Sequence, residues 1–149
     1  MAETHLIFEG WRFVPHSSAV VHQFHCLEAT RRPEIKLSLR DRPCTGHWGQ
    51  VGGMLPQAYE ATLQGTPLAP EEEAAAAIIR IDYPCDPTPA PGAGRTLVMA
   101  APGAGSTTSV ALRGERGLVE AAEEVEILTP SEFARQGLLR LGVPAERVH

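Results

Sequence analysis

Short apolar runs alternate along this chain with stretches of helical periodicity. His5 to Phe8 (HLIF) is apolar and is stopped by Glu9-Gly10, which predicts a short buried strand. From Ser17 onward Val20, Val21, Phe24 and Leu27 recur at helical spacing, a serine stands at the start, and Arg31-Arg32-Pro33 closes the run. The pattern predicts a helix with Val20, Phe24 and Leu27 on its core face and His22 and Cys26 opposite. Glu34 to Leu39 (EIKLSL) alternates apolar with polar and predicts a second strand. The chain therefore opens as a βαβ unit, whose parallel strands need the helical crossover.

The middle is Gly-rich loop, CTGHWGQVGGMLPQ, read as an insertion over the sheet edge, with a short helix from Pro56 to Leu63. Pro70 and the acids Glu71 to Glu73 suit the first turn of a brief Ala-rich helix, where a missing amide and negative charge are both favourable. Ile78 to Tyr83 and Thr96 to Ala100 read as strands separated by the loop PCDPTPAPGAG, and a second PGAG follows. Gly117 to Glu124 predicts a short helix and Val125 to Leu128 a strand. Thr129-Pro-Ser-Glu132 has the form of a capping box with Pro at the first helical position, ahead of a helix that stops at Gly142. Val143 to His149 would lead into another strand. The fold expected is a Rossmann-like α/β domain with a mostly parallel sheet, cut off before its last strand.

Composition narrows the function. The 149 residues suit a single domain, and a formal net charge of -5 with no basic stripe argues against nucleic-acid binding. Cys26, Cys44 and Cys85 form no C-x-x-C pair and no disulfide framework, which fits a reducing cytoplasm. Neither a signal peptide nor an apolar run of membrane-spanning length is present, although work at a membrane surface stays open.

Three constellations are candidates for chemistry. In open parallel sheets ligands bind beyond the carboxyl ends of the strands, so the loop Gly10 to Ser18 after the first strand is the first. There Trp11 offers a ring, Arg12 a partner for an anion, and His16, just ahead of a helix, a neutral imidazole. Their alternative is structural: Trp11 and Phe13 fold back as a plug and His16 merely caps. The second is His22, Cys26, Cys44 and His47, whose H-x3-C and C-x2-H spacing would allow tetrahedral zinc, though it matches no closed zinc module and no metal is assigned. The third is the pair of Pro/Gly loops. Asp86 could orient a hydroxyl or simply start a turn, and Gly103 could line a cleft, but no Lys completes a phosphate loop.

The segments THLIFEGWRFVPHSSAVVHQFHCLEATRRPEIKLSLRD and VEILTPSEFARQGLLRLGVPAERV resemble the amino-terminal half of a bacterial family-four glycosyltransferase of the two-domain B-type fold. The likeness spans roughly half of the chain and fades between Thr45 and Glu73. It implies that residues 1–149 are an acceptor-side domain lacking its carboxyl-terminal donor-binding partner. The implied activity is retaining transfer from a nucleotide sugar, a substrate rather than a cofactor, to a glycan or lipid-linked acceptor. The chain alone would then be inactive, peripheral to the inner membrane on its cytoplasmic side, and prone to self-association through its exposed interdomain face. By motif position, Gly10 to Ser18 is the first cleft loop, and Ser131 and Glu132 begin a second cleft-facing helix. No residue matches a catalytic one. The chain departs from the family in having no second glycine beside Gly10. The competing reading is a non-catalytic Rossmann-like module that binds a ligand or a partner protein, with zinc as its stabiliser.

Overall fold

Strand β1 runs Thr4–Gly10, longer at both ends than its apolar core. It is followed by α1 (Ser17–Ala29) and β2 (Ile35–Asp41). Next come α2 (Gln57–Gly65), β3 (Ala77–Ile81) and β4 (Thr96–Met99). The remaining elements are α3 (Leu118–Ala121), β5 (Glu126–Leu128) and α4 (Glu132–Arg140). This computed structural model describes residues 3–101 and 111–149, so Gly103 and the second PGAG loop lie outside the described residues. Among the described residues five strands form one sheet in the order β2-β1-β3-β4-β5, parallel throughout. The domain is α/β and Rossmann-like, with three layers. No helix among the described residues is long and apolar enough to cross a membrane.

The alternation of side chains along parallel strands assigns each layer. Phe8, Leu37, Leu39 and the half-buried Ile79 point to one face, where they pack with Cys26 and Leu27 of α1 and Leu63 of α2. On the opposite face Val98 and Ile127 pack with Leu118, Ala121, Val125, Leu138 and Val143 around α3 and α4. That second face continues across β3 and β1 as Ile78 and Ile7, which loop residues Ala69 and Ala90 cover instead of a helix. The stretch after α2 first runs along the outer edge of β2, where Ala69 donates its amide to the Leu39 carbonyl at 2.8 Å.

Several elements differ from the pattern-based expectation. Residues 71–76 form turns and not a helix. Ala75 instead donates its amide to Gly92, and Ala76 to His5, so the backbone is recruited by neighbouring chain. At α4 the cap is Ser131, whose side chain accepts the Ala134 amide at 3.2 Å, and Pro130 lies outside the helix. Thr129 is drawn away: its amide and hydroxyl both donate to the His149 carbonyl. The stop at Gly142 holds, because its φ of +90° closes a Schellman turn in which Val143 donates to Leu138 and Gly142 to Leu139. Ala145–Arg147 form one 3-10 turn, after which Val148 makes an isolated parallel bridge with Ile127 of β5.

The largest difference is the rotation of α1. Val20 and Phe24 are 39% and 47% exposed, whereas His22, Gln23 and Cys26 are fully buried. The cause lies in the loop it faces. The turn from β1 leaves backbone groups that need partners away from water. The Gln23 carbonyl oxygen accepts the Phe13 amide at 2.8 Å, and the His22 ring donates from Nδ1 to the Trp11 carbonyl at 3.1 Å. Satisfying those groups outweighs burying two apolar side chains.

Candidate functional site

At the carboxyl edge the strand order reverses between β1 and β3, the crevice where open α/β sheets take their ligands. Gly10 ends β1 there because nothing larger fits. A Cβ on Gly10 would stand 2.5 Å from the Ile81 carbonyl oxygen and 2.6 Å from Cγ of His22. The close approach that glycine permits is thus made by a protein ring.

The loop that follows is tightly held. Trp11 is 1% exposed and donates its indole N–H to the Pro43 carbonyl at 3.2 Å. Arg12 is 8% exposed and forms a two-pronged pair with Asp41 at the end of β2, both contacts 2.7 Å, while a third N–H donates to Leu63. Its guanidinium is therefore spent within the protein, and it ties the first loop to β2 and α2. Phe13 holds a φ of +59°, a left-handed conformation that costs energy in a residue with a side chain. Gln23 takes its amide and the Val51 amide reaches its carbonyl, so both neighbouring strands of chain clamp it.

His16 is the meeting point of three loops. It caps α1, its Nδ1 accepting the Ser18 amide at 3.2 Å. Its ring lies 5.4 Å from Trp11 of its own loop, 5.0 Å from Trp48 of the loop after β2, and 4.9 Å from Tyr83 of the loop after β3. His47 extends the group, its ring 4.8 Å from Trp48. Partial burial lowers the pKa of His16, and with Nδ1 accepting the Ser18 amide the neutral ring has its N–H at Nε2. Thr45 fastens the second loop to the third through the Tyr83 carbonyl at 3.4 Å.

Beneath this aromatic group runs a chain of charges. On the face away from α1, Glu9 stands in register between Arg40 and Arg80 and accepts from each at 2.6 Å, with 2% of its side chain exposed. Arg80 also donates to the carbonyls of Asp86 and Thr88. Arg42 bridges Asp82 and Asp86, and Arg113 approaches Asp82 at 3.6 Å. The two aspartates respond oppositely. Burial raises the pKa of Asp82 against the nearby Arg42 and Arg113, and one of its oxygens has no hydrogen-bond partner among the described residues. Burial acts on Asp86 too, but the Thr88 hydrogen bonds with Arg80 and Arg42 outweigh it and lower its pKa. Oppositely tuned carboxylates four residues apart are a recurrent mark of functional sites.

Gly10, Trp11, Arg12, His16 and Asp86 all lie at this edge, with Ser17 exposed at the first turn of α1, but Trp11 is buried and His16 caps the helix, as the structural alternative for this loop has it. Ser131 and Glu132 are exposed at the same edge but follow β5, three strand spacings or about 14 Å from β1. Glu132 there accepts from Gln136 at 2.6 Å. Sequence reasoning missed Trp48 and Tyr83. The sole local hint was a tryptophan inside a Gly-rich loop, where a large ring is unneeded unless it packs or binds. The four zinc candidates do not converge. His22 and Cys26 touch at 3.5 Å in the core, Cys44 and His47 are exposed, and no metal-holding group of His, Cys, Asp or Glu occurs among the described residues. Burial lowers the His22 pKa to about 4 and pushes the Cys26 thiol up to about 12, so neither is a reactive group at neutral pH. The chain matches no protein-family model, no curated protein and no solved structure.

Proposed function

We propose that this chain is the acceptor-side half of a retaining, nucleotide-sugar-dependent glycosyltransferase that works on a glycan or lipid-linked acceptor at the cytoplasmic face of the inner membrane. One observation carries the reading: three consecutive strand-end loops meet at His16, in the crevice where the sheet order reverses. The glycosyltransferase resemblance of residues 4–41 and 125–148 gives that crevice its chemistry, and the Rossmann-like fold agrees with it.

In this reading the residues divide by role. Arg12, through Asp41, is a positioning residue that fixes the loop against β2. His16 presents a neutral N–H to an acceptor hydroxyl. Asp86 is held ionised by Thr88 and two arginines and keeps Arg42 in place. A second domain supplies the donor nucleotide site and the groups that stabilise its departing phosphate.

The test is transfer of labelled sugar from a set of nucleotide sugars by the protein expressed from its full reading frame and by residues 1–149 alone. The longer protein should transfer with retention at the anomeric carbon, and the isolated chain should not. His16→Ala in the longer protein should lower kcat/KM for the acceptor about tenfold, the loss of one hydrogen bond of about 1.4 kcal/mol. Turnover by residues 1–149 alone would end the two-domain reading, and no transfer from any nucleotide sugar would end the glycosyltransferase reading.

A further inference from the structure

We infer that Tyr83 and Trp48, with His16 between them, form a stacking platform for the apolar face of an uncharged pyranose ring. The inference rests on the proposed glycosyltransferase reading and names the residues that would select its acceptor. Tyr83 is 43% exposed although its ring lies 4.9 Å from that of His16, so part of it remains open to solvent. Trp48 is half-buried at 5.0 Å from the same imidazole and nearly perpendicular to it, at 79°. Two aromatic side chains from separate loops thus flank one neutral hydrogen-bond donor. A sugar ring needs that combination: C–H groups to lie on an aromatic face and hydroxyls to meet a directed polar atom.

The surrounding charges decide against an anionic occupant. Arg12 is committed to Asp41, Arg42 to Asp82 and Asp86, and Arg80 to Glu9. A phosphate or carboxylate seated on any of these three would have to displace an internal carboxylate from its arginine, whereas Arg113 only approaches Asp82, at 3.6 Å. A neutral ring needs no such exchange.

The test is saturation-transfer NMR of the wild-type chain with the methyl glycosides of glucose, galactose, mannose and N-acetylglucosamine, with uridine diphosphate as a parallel probe. At least one glycoside should bind with transfer strongest at its ring C–H protons. Tyr83→Ala and Trp48→Ala should each weaken it at least tenfold. Tyr83→Phe should retain binding, because it keeps the ring. A thermal melt and the dispersed NMR spectrum of each variant separate lost stacking from lost folding, and Trp48→Phe replaces Trp48→Ala if the latter unfolds. Binding of none of the glycosides, binding unchanged in the ring-removing variants, or competition by uridine diphosphate for the same rings would overturn the platform. Glycoside binding without sugar transfer by the longer protein would sink the enzyme reading alone. Transfer whose acceptor KM is untouched by Tyr83→Ala would sink the platform alone.

Discussion

The two sides of the sheet's second face are built from opposite materials. Across β4 and β5 the core cluster is apolar, Val98 and Ile127 meeting Leu118, Val125 and Leu138. Across β2, β1 and β3 the same layer holds Arg40, Glu9 and Arg80 side by side, with loops in place of a helix above them. Apolar packing is tolerant of small losses because no partner is left stranded. A buried ion row has no such tolerance: once one member goes, the others keep their desolvation cost. The difference shows where this fold is a scaffold and where it has been shaped around a crevice.

Breaking the row should have the largest effect. Glu9→Ala leaves two guanidinium groups facing each other, one of them nearly fully buried, and should cost about 3–5 kcal/mol in urea unfolding. Replacing Glu9 and Arg80 together by Met and Leu should recover much of that loss, because removing a whole pair is often close to neutral. If the single change cost under about 1 kcal/mol, a range typical of exposed pairs, the row would be no more than surface electrostatics.

On the apolar side, Leu138→Ala should cost about 2–5 kcal/mol, from lost burial plus the cavity left behind. A compensating second substitution of the kind that rescues Glu9 should not exist there, since no charge is stranded. A double-mutant rescue as large as that at Glu9 would erase the contrast between the halves.

The effect that vanishes at neutral pH is confined to acid. Burial holds the folded-state pKa of His22 down from 6.5 to about 4, so the unfolded chain takes up a proton that the folded ring refuses. His22 therefore leaves stability unaffected above pH 6.5 and erodes it as the pH falls from there towards 4, by up to about 1.4 kcal/mol per pH unit. His22→Gln should flatten that part of the pH profile. An unchanged slope in the variant would place the acid sensitivity elsewhere.

How much of this was legible beforehand varies by element. The α4 segment is legible in place and in its stop, because its signals are local: apolar residues at helical spacing and a glycine that takes a positive φ. Its cap was misplaced by two residues, since Thr129 is claimed by the distant His149. The α1 segment was read correctly in extent and wrongly in phase. Nothing local says that Gln23 and His22 must serve the backbone of the preceding loop. In the loop after β1 the residue types suggest that Arg12 offers its charge, and instead it spends it on Asp41, 29 residues away. Trp48 and Tyr83 escaped altogether, because their meeting with His16 depends on how β2 and β3 flank β1.

By itself, then, the sequence determined the alternation of strand and helix and the α/β class. Those follow from periodicity, caps and breakers acting over a few residues. Only the tertiary structure decided which face of α1 is buried, which arginines are already paired and which rings surround His16. Each of those depends on partners tens of residues apart, brought together by strand order and register, where the need to satisfy buried polar groups outranks the preference of any one segment.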